Sequence, residues 1–480
     1  MLLSNENNPS MRRELLKIKK LIVKFSLEDI MNSRITQILV VLLLLVFHGQ
    51  VLAKVSFAEA QSLGQDLTPV GAIRSGNESG TIPSWNGGIT KANAEYKSGQ
   101  FHSDPFSNDE IKFTIDSSNW QKHQDYLTFG QVEFLKKYPS FKINVYPSHR
   151  SAAYPQFVYD ALKANSLSAE LQEYGTGVRN TLISSPFPIP KNGLEVLWNH
   201  TLRFRGLQYR SVSSNAINSA GVDTVLVTRD SKYFMAYSQP DVTLEDIDNK
   251  IFYVKRKTLS PAKLAGKFIL IHETLDQVLS PRKAWQYQPG ERRVRRTPNF
   301  SYDTPDDNNG IGTIDQFDMF NGAPDFYNWK LIGKQEKYIP YNSYKVHSGE
   351  LKVSEIVGTE HINSDLLRYE AHRVWVVEAN LRVGMSHVYA KRRFYFDEDT
   401  WQIVLAEEYN KKGDLVHVSE AHTINYYEVP TVATTLKVNY NLEKNSYYVE
   451  GLDNERKPVD FSSDFTARQF TSSALRREAR

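Results

Sequence analysis

The side chains best suited to chemistry fall on four segments of period-two pattern near the C-terminal end. With alternate residues on one face, the segment 367–382 presents Tyr369, Ala371, Arg373, Trp375, Val377, Ala379 and Leu381. The segment 386–397 presents Val388, Ala390, Arg392, Phe394 and Phe396, and 401–410 presents Trp401, Ile403, Leu405, Glu407 and Tyr409. The last, 415–427, presents Val416, Val418, Glu420, His422, Ile424 and Tyr426. Folding them across their short turns sets Arg392 opposite Leu405 and Leu405 opposite Glu420, with Glu407 diagonal to Arg392 and within reach of it. Each apolar face then carries one or two charges of complementary sign. Such a cluster serves as a buried ion network that fixes strand register, because uncompensated buried charge is costly. It equally serves as the wall of a ligand cavity. In that case Arg373, Arg392 and His422, with Glu407 and Glu420 beside them, meet the polar end of an amphipathic molecule, and Trp375, Phe394 and Trp401 line the apolar remainder. General acid–base work by the two carboxylates is a third use.

Familiar catalytic and metal motifs fail on spacing. His272-Glu-Thr-Leu-Asp276 begins like a zinc-protease helix, but Asp276 stands where the second histidine belongs and the run has strand character. Gly76-Asn-Glu-Ser79-Gly80 places its serine one position too late for a nucleophile elbow. No glycine-rich loop ends in Lys-Ser/Thr. The acidic stretch Asp303 to Gly310 puts Pro305 and Gln316 where a calcium loop needs carboxylates, so it reads as a turn-rich cap. Glu370/His372 and Glu420/His422 each offer two groups on one strand face, as ligand pairs or as plain polar pairing. Arg292-Arg293-x-Arg295-Arg296 suits an anionic partner or, more simply, a strand edge guarded against aggregation. No catalytic residue, metal ligand or cofactor is assigned.

The elements that must position these residues lie beyond an export signal. Residues 31–53 have a polar and basic start, ten apolar residues from Ile38 to Phe47, and Val51-Leu52-Ala53 before Lys54. That is a secretory pattern with cleavage between Ala53 and Lys54, and its apolar run is too short to span a bilayer. Met31 is an alternative start to Met1. Seven of the 58 basic and four of the 55 acidic residues precede Lys54, which leaves 51 of each and no basic footprint for nucleic acid. The absence of cysteine excludes disulfides, thiolate metal sites, a catalytic thiol and a lipidated cysteine. Aromatic content of 12% favours β structure.

Residues 54–205 form a Gly- and Pro-rich, partly helical N-terminal region, expected to be the lid of the same domain as the strands that follow. A short helix is expected at 57–63, then an irregular stretch, then helices at 116–138, 155–173 and 193–204. From 206 to 455 the period changes to two. Strands are expected at 207–216, 222–229, 232–238, 251–258, 267–274, 283–288, 326–334, 337–345, and then through the four segments above to 433–441 and 445–450. This is an antiparallel meander. Residues 299–324 read as a long ordered loop with one helical turn, and 456–480 as a tail.

Several long strings carry a resemblance. They are Leu67-Thr-Pro-Val-Gly-Ala72, Thr81-Ile-Pro-Ser-Trp-Asn-Gly-Gly88, Tyr146-Pro-Ser-His-Arg150, Phe187-Pro-Ile-Pro-Lys-Asn-Gly-Leu194, Asp318-Met-Phe-Asn-Gly-Ala-Pro-Asp325, Tyr338-Ile-Pro-Tyr-Asn342, Tyr369-Glu-Ala-His-Arg-Val-Trp-Val-Val-Glu378 and Phe396-Asp-Glu-Asp-Thr-Trp-Gln-Ile403. With these the chain resembles bacterial secreted proteins grouped as domain of unknown function 1329, itself similar to the lipoprotein carrier LolA and receptor LolB. The resemblance implies an α+β fold: a large curved antiparallel sheet, a half-barrel with helices on its concave side, after an irregular N-terminal segment. It further implies a cavity for a lipid or other hydrophobic molecule. Association with resistance-nodulation-division transporters and outer-membrane proteins is also implied, and it assigns no catalytic residue. The expected function is a periplasmic carrier in envelope export or lipid trafficking. A non-binding adaptor between transporter and outer-membrane partner is the alternative, and a hydrolase of envelope lipids a third reading.

Overall fold

In the computed structural model, residues 55–92, 96–219, 222–298 and 301–479 are described. The expected signal, with its cleavage between Ala53 and Lys54, lies outside the described residues. Seventeen strands follow in chain order: β1 (Phe113–Ile115), β2 (Ile143–Val145), β3 (Glu170–Leu171), β4 (Val178–Arg179), β5 (Gln208–Ser219), β6 (Val222–Phe234), β7 (Lys250–Ser260), β8 (Phe268–Thr274) and β9 (Lys283–Gln288). Next come β10 (Arg293–Arg296), β11 (Tyr327–Pro340), β12 (Tyr369–Leu381), β13 (Lys391–Asp397), β14 (Ile403–Tyr409), β15 (Leu415–Tyr426), β16 (Thr431–Asn441) and β17 (Ser446–Leu452). Fifteen of them form one open sheet; β3 and β4 pair separately. Two meanders, β5 to β10 and β11 to β17, join where β17 pairs with β5, and the pairing throughout is antiparallel except for the single parallel contact of β2 with β12. The chain thus adopts the expected class, a large antiparallel sheet with few helices and an irregular N-terminal segment. Among the described residues no helix is long and apolar enough to cross a membrane.

Two expected breaks are absent for visible reasons. The runs 326–334 and 337–345 are one strand, β11, whose register slips between Leu331 and Gly333. Gly333 (φ +127°) is a bulge within the strand rather than a turn. The runs 222–229 and 232–238 are likewise one strand, β6. Its polar centre is satisfied across the sheet, where Arg210 Nε and Nη2 donate to the Asp230 carboxylate at 2.9 and 2.8 Å. Conversely, the helix expected at 116–138 divides. A 3-10 segment, Trp120–Tyr126, gives way to α2 (Phe129–Lys137) because Thr128 and Gln131 form a capping box.

Of the other helices, α1 (Phe57–Gln61) and α3 (Gln156–Ser168) belong to the N-terminal region, α4 is Gly193–Leu202 and α5 is Ser472–Glu478. The N-terminal strings are packing motifs. Gly71 (φ +95°) lies so close to Pro188 that a Cβ would stand 1.8 Å from the Pro188 carbonyl oxygen, so only glycine fits. Trp401 Nε1 donates to the Val70 carbonyl at 3.0 Å, tying this region to the β13–β14 turn.

Both faces of the sheet are covered around β12 to β15. On one, Phe394, Phe396, Ala406 and Ala421 pack with Val196 and Leu197 of α4 and with Met319 and Phe320 of the 301–323 segment. On the other, Val438 and Tyr440 pack under Phe134 and Leu135 of α2. At the far meander α5 and Phe470 cover Leu270 and Tyr287 on this second face.

Candidate functional site

The register of β13 with β14 redraws the cluster expected from alternation. Arg392 faces Glu408, and Tyr395 faces Leu405, because the turn pairs Phe396 with Ile403 rather than Trp401 and an irregularity between Tyr395 and Phe396 shifts the pairing by one more. Leu405 does face Glu420. The shift divides the eight candidates. Phe394 and Trp401 pack in the α4-covered core, with Trp375 beside them stacked on Trp401 at 6.2 Å. Arg392 sits at the edge of that core, its guanidinium 5.4 Å from the Phe320 ring. Glu407, Glu420 and His422 lie on the opposite face.

Most of the charged candidates have a protein partner, although both ring nitrogens of His422 are buried without a hydrogen bond. Arg392, fully buried, holds Asp315 of the 301–323 segment with Nη1 and Nη2 at 2.8 and 2.9 Å. Burial opposes the charge on Asp315, but Arg392 outweighs it and keeps the carboxyl below its usual range. Glu408, pushed up to about 7 by burial, accepts from Gln316 Nε2 at 3.1 Å. Glu407 accepts from Tyr409 Oη (2.6 Å), Gly130 N (2.7 Å) and Tyr395 Oη (3.1 Å). Glu420 accepts from Tyr369 Oη at 2.8 Å, and His422 Nε2 lies 3.6 Å from it. Arg373 donates to the Ser75 carbonyl and to Glu398 at 3.1 and 3.3 Å.

Arg373 belongs to a charged hub at the β13–β14 turn. Arg150 binds Asp399 through Nε and Nη2 at 2.8 and 2.6 Å, and Lys334 reaches Glu398 at 2.8 Å. His372, Asp397 and Asp399 come within reach of one ion. Asp399, however, is already neutralised by Arg150, and His372 Nε2 faces Glu370 at 3.2 Å, which makes the group an ion-pair junction. Burial, followed by the neighbouring Asp399, pushes Asp397 up to about 7.

The open space lies elsewhere on the α4-covered face. Register carries that face from Arg392 and Glu408 to His417 and Asn441 on β15 and β16, then by alternation to Lys437 and its partner Glu450 on β17. On the far meander Val254 faces Ile271, Arg256 faces Ile269, and these face Ala284 and Gln286 of β9. Between these strands and the 301–317 segment is a cavity of about 900 Å³. Val227, Phe252, Val254, Ile269, Ile271 and Phe317 supply its apolar wall. None of the eight candidates lines it. Three lining cations are paired: Arg229 with Asp307 (2.8 Å), Arg282 with Glu273 (2.7 Å) and Lys437 with Glu450 (2.8 Å). Burial opposes the charge of Glu450, and Lys437 more than offsets it, holding the carboxyl below its usual range. His272 and Glu273 are successive on β8 and so point to opposite faces; Glu273 lines the cavity, while His272 Nε2 meets the Phe470 carbonyl at 2.6 Å.

Sequence reasoning missed the cavity wall because β7, Ile-Phe-Tyr-Val-Lys-Arg-Lys-Thr over 251–258, places apolar and basic residues on both faces. Alternation cannot then say which face is covered.

The profile described as "Protein of unknown function (DUF1329)" matches residues 114–476. The uncharacterized protein PA3922 of Pseudomonas aeruginosa is 44% identical over 441 residues, 91% of this chain and 97% of that protein. Among solved structures, an outer membrane lipoprotein-sorting protein domain from Vibrio parahaemolyticus aligns with 59% of this chain and 98% of its own, at 14% identity and a TM-score of 0.40. A DUF1329 family protein from Desulfovibrio piger aligns with 56% and 92%, at 16% identity and a TM-score of 0.36. A LolA superfamily protein from Nitrosomonas europaea aligns with 60% and 100%, at 13% identity and a TM-score of 0.34.

Proposed function

The chain belongs to the DUF1329 family, and from that premise we propose that it binds and carries a lipid or other hydrophobic molecule in the periplasm. The observation that carries this reading is the cavity of about 900 Å³ roofed by the 301–317 segment, of a size that suits a small-molecule ligand. A side-chain-filled interior would have favoured the adaptor. The secretory pattern at residues 31–53 supports a periplasmic site of action. Transfer to or from a resistance-nodulation-division transporter and an outer-membrane protein is the proposed route, resting on the family resemblance. Arg392 enters this reading at one remove. By holding Asp315 it fixes the chain beside Ile314 and Phe317, both of which line the cavity.

The test is native mass spectrometry of the protein purified from periplasm, with solvent extraction and lipid analysis, beside an Ile271→Trp variant that obstructs the apolar wall of the cavity. A stoichiometric amphiphile on the wild type, lost from Ile271→Trp, is the expected result. A wild type that stays empty after incubation with envelope lipids would overturn the proposal.

A further inference from the structure

Two cations of the cavity stand apart from the three paired ones. Among the described residues, neither Arg256 nor Lys267 has a carboxylate within ion-pair distance, although both line the cavity. Arg256 is the more informative. It projects from β7 between the apolar side chains Val254 on its own strand and Ile269 across from it. Its one hydrogen bond runs from Nη2 to Tyr233 Oη at 2.9 Å, and its Nε is buried without an acceptor. Its charge rests on ring faces, 5.2 Å from the centre of Phe317 and 5.9 Å from that of Tyr233. The nearby carboxylates Glu450 and Asp307 are already engaged by Lys437 and Arg229. A half-buried guanidinium set in an apolar wall, with no carboxylate within ion-pair distance, keeps a donor that no protein group takes up. Its planar fork matches a carboxylate or phosphate.

We propose that the cavity selects an anionic amphiphile. Its carboxylate or phosphate head sits on Arg256, with Lys267 as the second cation, and its chain lies along Phe252, Val254, Ile269 and Ile271. This rests on the carrier reading and adds the charge class of the cargo.

The full chain, stripped of endogenous ligand, is titrated by displacement of the neutral fluorophore phenylnaphthylamine. Competitors are oleate, a lysophosphatidate with the same chain, and methyl oleate. Wild type should bind at least one anion about tenfold more tightly than the neutral ester, and the better anion tells carboxylate from phosphate. Arg256→Gln should lose that preference while keeping its affinity for methyl oleate within about twofold. Arg256→Lys, which keeps the charge but not the fork, should retain part of it, and Lys267→Gln gives a second reading should Arg256→Gln fold poorly. Equal wild-type affinity for oleate, lysophosphatidate and methyl oleate would overturn the anion assignment and leave the carrier standing. So would an undiminished preference in both Gln variants, since bound water would then satisfy Arg256. Failure of all three ligands to displace the probe would instead remove the carrier reading beneath it.

Discussion

One face of the sheet is solid over β12 to β15 and hollow over β7 to β9, and the same segment covers both halves. In the solid half, Asp315 and Phe320 drop onto Arg392 and Phe394, so the buried guanidinium is answered by a carboxylate of the chain itself. In the hollow half, Phe317 touches the sheet at Phe252 and Arg256 but leaves open space along Val254 and Ile271, and Arg256 has no carboxylate within ion-pair distance among the described residues. The two halves are equally rich in apolar and charged side chains. What separates them is how completely the covering segment fills the space above the sheet. Charge on an apolar face is therefore no mark of a ligand site until the cover is known.

The largest effect expected is in the solid half. Arg392→Leu strands a buried Asp315 and should cost about 3–5 kcal/mol, read by urea denaturation. Adding Asp315→Leu should recover much of that loss. A single variant of wild-type stability would erase the distinction between the halves. Next, truncating one apolar residue in each half sharpens it. Phe394→Ala, in a filled core, should cost about 3–5 kcal/mol. Ile271→Ala, already beside empty space, should cost only about 1 kcal/mol, since it creates little new cavity. Equal losses would mean that the hollow half closes up in solution.

A smaller effect concerns pH. Glu408 in the solid half and Asp397 at its end are both raised to about 7, above their unfolded values. The folded state therefore binds more protons than the unfolded one between about pH 4 and 7. Stability from these groups is complete below pH 4 and lost as pH rises through 7. Glu408→Gln should flatten this decline and raise stability at pH 8 by about 1–2 kcal/mol; an unchanged slope in urea midpoints from pH 5 to 8 would place the titration elsewhere.

Much of the sheet was legible. The turns Asp397 to Thr400 and Asn410 to Asp414, with period-two runs on either side, place β13, β14 and β15 nearly where they are. The Arg-rich run is the exposed edge strand β10, as a guarded edge reads. The site was less legible, because a turn two residues wider than expected and a one-residue irregularity at Tyr395 together move Arg392 from Leu405 to Glu408, the irregularity sending Glu407 to the other face. Nothing in residue type announces such a slip. Nor did the string Asp318 to Asp325 disclose its role, since its partners Arg203 and Arg205 are more than a hundred residues away.

The roof of the cavity is held by two kinds of pin. Asp315 and Asp318 are gripped in the interior by Arg392, Arg203 and Arg205. Asp307, by contrast, meets Arg229 with its side chain 69% exposed. Ions in solution weaken an exposed pair and scarcely touch a buried one. Ionic strength should therefore act on traffic without acting on the fold. Between 0.05 and 0.5 M salt, stopped-flow rates of probe entry and exit should rise together, at constant affinity for a neutral probe and a constant urea midpoint.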